Sequence, residues 1–205
     1  MTRIVVFAKA PLAGFAKTRL IPALGAEGAA ALARQMLSHT LEQALAAAPQ
    51  AVEPCMSPAP SDPAWQGVAL PPAVERSNQV DGDLDTRMGL AMERSLAQWQ
   101  GPVLLIGSDC PALTAKYITE AGRQLEQHDA VLLPADDGGY VLIGLQAPCP
   151  EVFIGMVWST QGVAAETLRR LADFRLRVWL GPTLQDIVEP ADLVHLPDPM
   201  SPVFK

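Results

Sequence analysis

The stretch Val103-Leu104-Leu105-Ile106-Gly107-Ser108-Asp109-Cys110-Pro111 decides the fold. Its first four residues are continuously apolar rather than alternating. That is how a strand covered on both faces reads, as in a parallel or mixed sheet. The strand ends in a carboxylate, and Pro111 then stiffens the turn. Asp109 either faces a ligand over the sheet edge or serves only as a turn residue before proline. Similar short runs lie at 4–7, 131–133 and 140–143, with a later strand expected at 175–180 and a weaker one at 51–56.

Helical patterns fill the intervals. Ala29, Leu32, Met36, Leu37, Leu41 and Ala44 follow the i, i+3, i+4, i+7 stripe, which predicts a helix over 26–48. Leu84, Met88, Ala91, Met92, Leu96 and Trp99 form a second stripe. Thr114 is placed to cap a third helix running to about residue 127, and a fourth is expected over 163–172. Strands alternating with helices imply crossover connections and a three-layer α/β/α sandwich on a mostly parallel, mixed sheet. The Pro-rich segment 58–72 reads as a surface excursion within one domain, 1–205.

Composition narrows the function. Hydrophobic residues make up 49% and charged residues 18% of the 205, enough to bury a core and to exclude global disorder. Lys plus Arg is 15 against 22 Asp plus Glu, a net charge of −7. That balance argues against nucleic acid as a partner, which needs broad phosphate neutralisation. It leaves room for a small anion in a locally positive pocket. Cys55, Cys110 and Cys149 are far apart and lack a C-x-x-C pair, so neither a disulfide framework nor a Cys-based zinc site is expected. With no apolar run long enough for a signal core or a membrane span, a cytoplasmic protein without a membrane partner is expected.

The segment Lys9-Ala-Pro11-Leu-Ala-Gly14-Phe-Ala-Lys17-Thr18-Arg19-Leu20 directly follows the first strand. The first acidic residue is Glu27, so Arg3, Lys9, Lys17 and Arg19 precede any counter-charge in sequence. Loops at the carboxyl ends of strands are where α/β sheets bind ligands. Gly14 permits close backbone approach, and the cations supply charge-assisted donors suited to a phosphate or pyrophosphate. The segment matches neither the full P-loop nor the three-glycine dinucleotide motif. The alternative is a solvated basic loop with Arg19 paired elsewhere.

Two further acidic elements lie downstream. One is Asp136-Asp137-Gly138-Gly139-Tyr140, where Asp-Gly also reads as a tight turn. The other is Asp186-Ile187-Val188-Glu189-Pro190-Ala191-Asp192. If the first of these meets Asp109 at one sheet edge, Asp109 and Asp137 are candidate ligands for Mg²⁺ or Mn²⁺, whereas the Asp186 stretch alone reads as a solvated turn before a short helix. Such ions take one or two carboxylates plus substrate phosphates.

Taken together, Lys9-x-Pro11-x-x-Gly14-x-x-Lys17-Thr-Arg-Leu20, Gly107-Ser-Asp-Cys-Pro111, Asp137-Gly-Gly-Tyr140, Trp158-Ser-Thr160 and Asp186…Pro190-x-Asp-Leu193 resemble a bacterial family of glycosyltransferase-A-like proteins. That family belongs to the nucleotide-diphospho-sugar transferase superfamily and is similar to phospholactate guanylyltransferase. The resemblance implies the GT-A-like fold and a metal-dependent transferase using a nucleoside triphosphate or nucleotide sugar and a small-molecule acceptor. It implies that Lys9, Gly14, Lys17 and Arg19 form the nucleotide-phosphate loop, with Lys17 and Asp109 catalytic and Asp109 metal-binding. It places Gln79 and Asp83 near the nucleotide, followed by Arg87-Met88, and Asp137, Gly138 and Gly139 on the acceptor side. Two departures stand out. Relatives read Asp-Val-Asp-Thr-Pro where this chain has Asp186-Ile-Val188-Glu189-Pro190, so the resemblance implies a weakened site, a one-metal site, or Asp186 or Glu189 as the metal ligand in place of Val188; and Asp85 stands where glycine is expected.

Nucleotidyl transfer is preferred over glycosyl transfer because the basic loop suits a triphosphate. A non-catalytic nucleotide-binding protein and an interaction module remain as alternatives. A Cys110–His nucleophile is disfavoured, since no histidine lies near Cys110 in sequence.

Overall fold

The apolar runs form strands β1 (Arg3–Lys9), β2 (Val52–Ser57), β3 (Ser77–Asn78), β4 (Val103–Ile106), β5 (Ala130–Pro134), β6 (Tyr140–Leu145) and β7 (Val178–Leu180). Between them lie helices α1 (Ile21–Ala47), α2 (Leu84–Trp99), α3 (Ala115–Gln124) and α4 (Val163–Asp173). The computed structural model describes residues 1–48, 50–72, 74–158 and 160–200. The strands form one seven-stranded sheet in the order β3-β2-β1-β4-β6-β5-β7. Every pairing is parallel except those of β6, which runs antiparallel to both β4 and β5. That reversal brings the start of β6 to the edge where β1, β4 and β5 end.

Successive strand residues serve opposite faces, as the period of two requires. Ile4, Val6, Leu104 and Ile106 pack against Leu37 and Leu41 of α1 and Ile118 of α3. Val5, Val103 and Leu105 pack against Met88 and Met92 of α2 and Leu171 of α4. The three-layer expectation is therefore met, with two helices on each face. No helix among the described residues is long and apolar enough to cross a membrane.

Three elements depart from expectation. The first helix begins at Ile21 rather than 26, but it is broken at Gly25 (φ 69°, ψ 168°), a conformation that favours glycine. The strand expected from 175 starts only at Val178. Arg175 is left-handed (φ 59°), and the Arg177 N–H donates to the Asp129 carboxylate rather than to a strand. Thr114 precedes α3 without a side-chain cap bond; the first helical N–H, of Ala115, donates instead to Gln43 Oε1 of α1 at 2.8 Å. That helix stops at Gln124, after which tighter turns carry the chain to His128. The 58–72 segment is mostly exposed, as a surface excursion should be, and is anchored by Trp65, which is buried and whose indole donates to the Pro58 carbonyl at 2.9 Å.

One buried ionic network joins the outer strands to α2. The Glu53 carboxylate has no solvent exposure and accepts from Arg3 Nε (2.9 Å), Arg94 Nη2 (2.5 Å) and the Ser77 hydroxyl. Arg3 also pairs with Glu75 at 2.6 Å and lies over the Trp99 ring. Arg3 thus leaves the set of uncompensated N-terminal cations, because its counter-charges come from strands and loops distant in sequence. Burial alone would raise the Glu53 pKa, but Ser77, Arg94 and Arg3 hold it below the usual carboxylate value.

Removing one member of a buried charge cluster leaves the others unpaired. Glu53→Gln is therefore expected to cost about 3–5 kcal/mol in urea unfolding at pH 7. The lowered pKa means that the Glu53 contribution is present above its unfolded value and lost as pH falls through the folded one. The variant should accordingly show a smaller loss of stability on acidification than the parent.

Candidate functional site at the carboxyl edge of the sheet

A cleft of about 460 Å³ opens where β1 and β4 end, and Tyr140 at the start of β6 lines it too. Its lining carries four cations, Lys9, Lys17, Arg19 and Arg87, and one carboxylate, Asp109. The chain is acidic overall, so this positive concentration is local.

The β1–α1 loop builds the basic wall. After the last residue of β1 the chain turns through Gly14 (φ 80°) and Lys17 (φ 49°) and enters a short 3₁₀ turn, Thr18–Leu20. Leu20 is fully buried with Leu32 and Met36, which fixes the loop to α1. Lys9 Nζ donates to the Phe15 carbonyl at 2.9 Å, tying the loop across its own mouth. Lys17 Nζ lies 2.7 Å from Asp109 Oδ1 and donates to the Ile187 carbonyl at 2.5 Å. Among the described residues Arg19 pairs with Glu189 in an exposed 3.4 Å contact, worth little in water.

The opposite wall is carboxylate-rich. Asp109 follows β4, and its carbonyl accepts from the Ile187 N–H at 2.8 Å, which seats the 186–189 segment beside it. The Asp186 N–H lies 3.4 Å from Asp136 Oδ1. Burial, followed by the nearby charges of Asp137, Asp136 and Asp109, raises the Asp186 pKa to about 7. Val188 lines the cleft but offers no ligand atom, and Glu189 turns away toward Arg19. Asp186 is therefore the carboxylate this segment contributes to the group. Among the described residues, no three His, Cys, Asp or Glu side chains form a ready-made metal cage.

The Asp137–Gly139 turn has a steric logic. Asp137 Oδ1 accepts from the Gly139 N–H at 2.7 Å. Gly138 sits at φ 90°, and a Cβ there would meet the Gln161 backbone at 2.3 Å. Its carbonyl accepts the Ala164 N–H at 2.9 Å, so this turn is packed against the entrance to α4.

At the other end of the cleft, Gln79 is buried and donates through Nε2 to the carbonyls of Ala8 (3.0 Å) and Cys55 (2.8 Å). Its Oε1 accepts from Arg87, whose guanidinium lies 5.6 Å from the Phe7 ring centre. The Tyr140 hydroxyl is buried without a hydrogen-bond partner among the described residues, and its ring meets Trp158 edge-on at 6.1 Å. Asp85 accepts from the Trp158 indole and, at 3.0 Å, from the Met156 N–H. An aspartate in place of the expected glycine thus pins the 156–158 loop.

The cleft unites Lys9, Lys17, Arg19, Gln79 and Asp109. Gly14 shapes the loop but does not line it. Asp83 lies apart: it caps α2 by accepting from the Thr86 N–H at 2.9 Å. Asp137 and Asp186 reach the cleft through their charge on the Asp109 side, whereas Gly138 and Gly139 hold the turn. Sequence reasoning missed Phe7, read Asp136 only as part of an acidic turn, and named Arg87 without a role. The uninterrupted Asp136-Asp137 pair was the available signal for Asp136. Cys110 is buried, donates to the Gln185 carbonyl at 3.2 Å, and has its thiol pushed up to about 12, chiefly by burial, so it is unsuited to nucleophilic attack at neutral pH.

Two outcomes are expected of this wall. In metal-free buffer, Asp186→Asn should raise the melting temperature, and the gain should grow between pH 5 and pH 8. The unfolded carboxyl ionises near 3.8, but the folded one holds its proton to about 7, so parent stability falls across that window. A gain independent of pH would contradict this account. Gly138→Ala combines a backbone clash with a positive φ and should cost about 2–4 kcal/mol in denaturant unfolding.

Comparison with known proteins gives this geometry a context. Residues 40–160 match a family described as uncharacterised proteins conserved in bacteria (DUF2064). No curated protein matches the chain. A candidate nucleotide-diphospho-sugar transferase from Desulfovibrio desulfuricans G20 is 31% identical, with a TM-score of 0.82 over 92% of this chain and 82% of that one. A CMP:2-keto-3-deoxy-manno-octonic acid synthetase in complex with CTP shares the fold at 11% identity, with a TM-score of 0.58 over 95% of each chain. Rv0371c from Mycobacterium tuberculosis H37Rv, solved with manganese, does so at 12% identity, with a TM-score of 0.57 over 95% of this chain and 96% of that one. The chain therefore belongs to the bacterial DUF2064 family and has the nucleotide-diphospho-sugar transferase fold.

Proposed function

We propose that this protein is a transferase using a nucleoside triphosphate or a nucleotide sugar, with nucleotidyl transfer as its reaction. The observation that carries this reading is the division of charge across one cleft. Lys9, Lys17 and Arg19 line it from the end of β1 and the loop after it, and Asp109, paired with Lys17, links it to the carboxylates of Asp136, Asp137 and Asp186. The shared fold of a CTP-bound synthetase supports a nucleotide in such a cleft.

In this reaction an acceptor oxygen attacks the α-phosphorus, the bond to the bridging oxygen breaks, and pyrophosphate leaves. Lys9 and Lys17 neutralise the leaving phosphates. Lys17 now holds Asp109, so phosphate binding exchanges one anionic partner for another. The turn at Asp137, Gly138 and Gly139 lies on the acceptor side. The donor set fits Mg²⁺ or Mn²⁺: an ammonium already sits on Asp109, and crowding keeps Asp186 protonated near neutrality, so a hard cation would relieve both. Asp109 and Asp186, with Asp137 beside them, would hold it together with substrate phosphates. When bound, it would supply charge neutralisation at those phosphates.

Glycosyl transfer is the second reading, favoured by the name of the Desulfovibrio relative. There the acceptor attacks the sugar carbon and a nucleoside diphosphate leaves. Pyrophosphate release distinguishes the first reaction from the second.

A thermal-shift panel of nucleoside triphosphates and nucleotide sugars, each with Mg²⁺, Mn²⁺ or EDTA, tests the shared premise. One nucleotide should stabilise the fold in a metal-dependent way, by about 2.7 kcal/mol at a hundredfold excess over its Kd. Asp109→Ala should abolish the metal-dependent part. No shift from any nucleotide would overturn the reading.

A further inference from the structure

The sheet order polarises the cleft. The carboxylates stand at the ends of β4 and β5, toward one side of β1. The basic loop leaves β1 itself. A nucleotide with its phosphates on that loop and its reacting end toward Asp109 therefore extends its base the other way, over β2 and β3. Gln79, directly after β3, and Arg87 of α2 stand there. Space continues past them: the same two residues also line a groove of about 560 Å³ between β3 and α2.

The polar chemistry of this end is restricted. Gln79 has spent its amide hydrogens on the Ala8 and Cys55 carbonyls, which fixes its oxygen toward Arg87. It has no donor left for a ligand. Arg87 is half-buried, has no carboxylate partner among the described residues, and gives Gln79 one of its five N–H groups. The Phe7 ring, 5.6 Å away, and the Gln79 oxygen both hold the guanidinium in place. What faces the cleft is thus a donor-only fork, with Leu84 and Met88 supplying apolar surface beside it.

We propose that Arg87, oriented by Gln79, selects the nucleobase by donating to two adjacent acceptors on its edge. Guanine offers such a pair at O6 and N7, and cytosine offers one at N3 and O2. Adenine sets an amino donor next to each ring acceptor on that edge, and uracil sets an N–H between its carbonyls. Both leave part of the fork unpaired, which is how a hydrogen-bonding site rejects a near-match. Gln79 is a positioning residue; Arg87 is the contact. This inference rests on the nucleotide-binding reading of the cleft and adds the base class to it.

Equilibrium binding of GTP, CTP, ATP and UTP, each with Mg²⁺, tests it on the parent, Arg87→Met, Arg87→Lys and Gln79→Ala. The parent should bind GTP or CTP at least about 10-fold more tightly than ATP and UTP. Weakened binding of 7-deaza-GTP identifies the guanine edge, and a preference for CTP over GTP identifies cytosine. Arg87→Met should bring the four affinities within about twofold by weakening only the preferred nucleotide. Arg87→Lys keeps the charge but lacks the fork, and should lose the preference as well. Gln79→Ala should reduce it while ATP binding stays unchanged. Equal affinities in the parent, a preference for ATP or UTP, or a uniform fall for all four nucleotides in Arg87→Met would overturn the base assignment while leaving nucleotide binding intact. Absence of binding by any nucleotide would instead remove the reading on which the assignment rests. Far-ultraviolet circular dichroism of each variant separates these results from misfolding.

Discussion

Ile187 ties together three parts of the chain that are remote in sequence. Its N–H donates to the carbonyl of Asp109, its own carbonyl accepts from Lys17, and its side chain is fully buried in a cluster with Leu20 and Met36. The backbone bonds set the distance between the basic loop and the end of β4, and the buried side chain keeps them from slipping. Lys17 can be both nearly buried and charged only because Asp109 and this carbonyl receive it. A cation stripped of water without such partners would carry a large desolvation cost. The basic loop and the end of β4 are therefore kept in register, with Lys17 on Asp109, around one apolar residue.

The layers were legible in the sequence because their cause is local. Continuous runs such as 103–106 cannot be satisfied at a solvent-facing edge, and the stripe from Leu84 to Trp99 has one geometry that buries it. The basic loop was legible as well, since a run of cations without an acid is visible in one dimension. Pairings across the sheet were not. Arg3 looked like a member of that loop until Glu53 and Glu75 met it from neighbouring strands. The direction of β6 was hidden too, because an apolar run reads the same whichever way it lies between two others. Gln79 was expected beside the nucleotide from its motif, but the carbonyls that immobilise its amide belong to residues 8 and 55 and leave no trace near position 79.

Charge is organised on two scales. Over the whole surface the excess is negative, which disfavours polyanions. Within the cleft the balance reverses, and the cations are of unequal kinds. Lys17 is committed to an internal partner, Arg19 is loosely held, and Arg87 has no carboxylate partner among the described residues. A side chain held by neutral groups keeps its full capacity for an incoming acceptor, whereas one in an ion pair must first give that pair up. The Asp186 group has the opposite problem, too much like charge in too little water. The first imbalance belongs to the loop after β1 and to α2, the second to the segments that follow β4, β5 and β7.

The reversed strand, β6, orders events during synthesis. β1 emerges first and finds β2 about fifty residues later, but its other neighbour, β4, follows about a hundred residues behind it. β4 must then wait for β6, which pairs with it only after β5 has been made. One side of β1, an apolar strand, thus stays open until roughly half of the chain is translated. Long-range pairing of this kind slows folding and exposes strand edges that other chains can capture. The segment around Ile187, which completes the basic and acidic walls, docks later still. A nascent chain can possess most of its sheet well before it possesses a cleft, and a chaperone that shields β1 early would act at the stage when the protein is most open to capture.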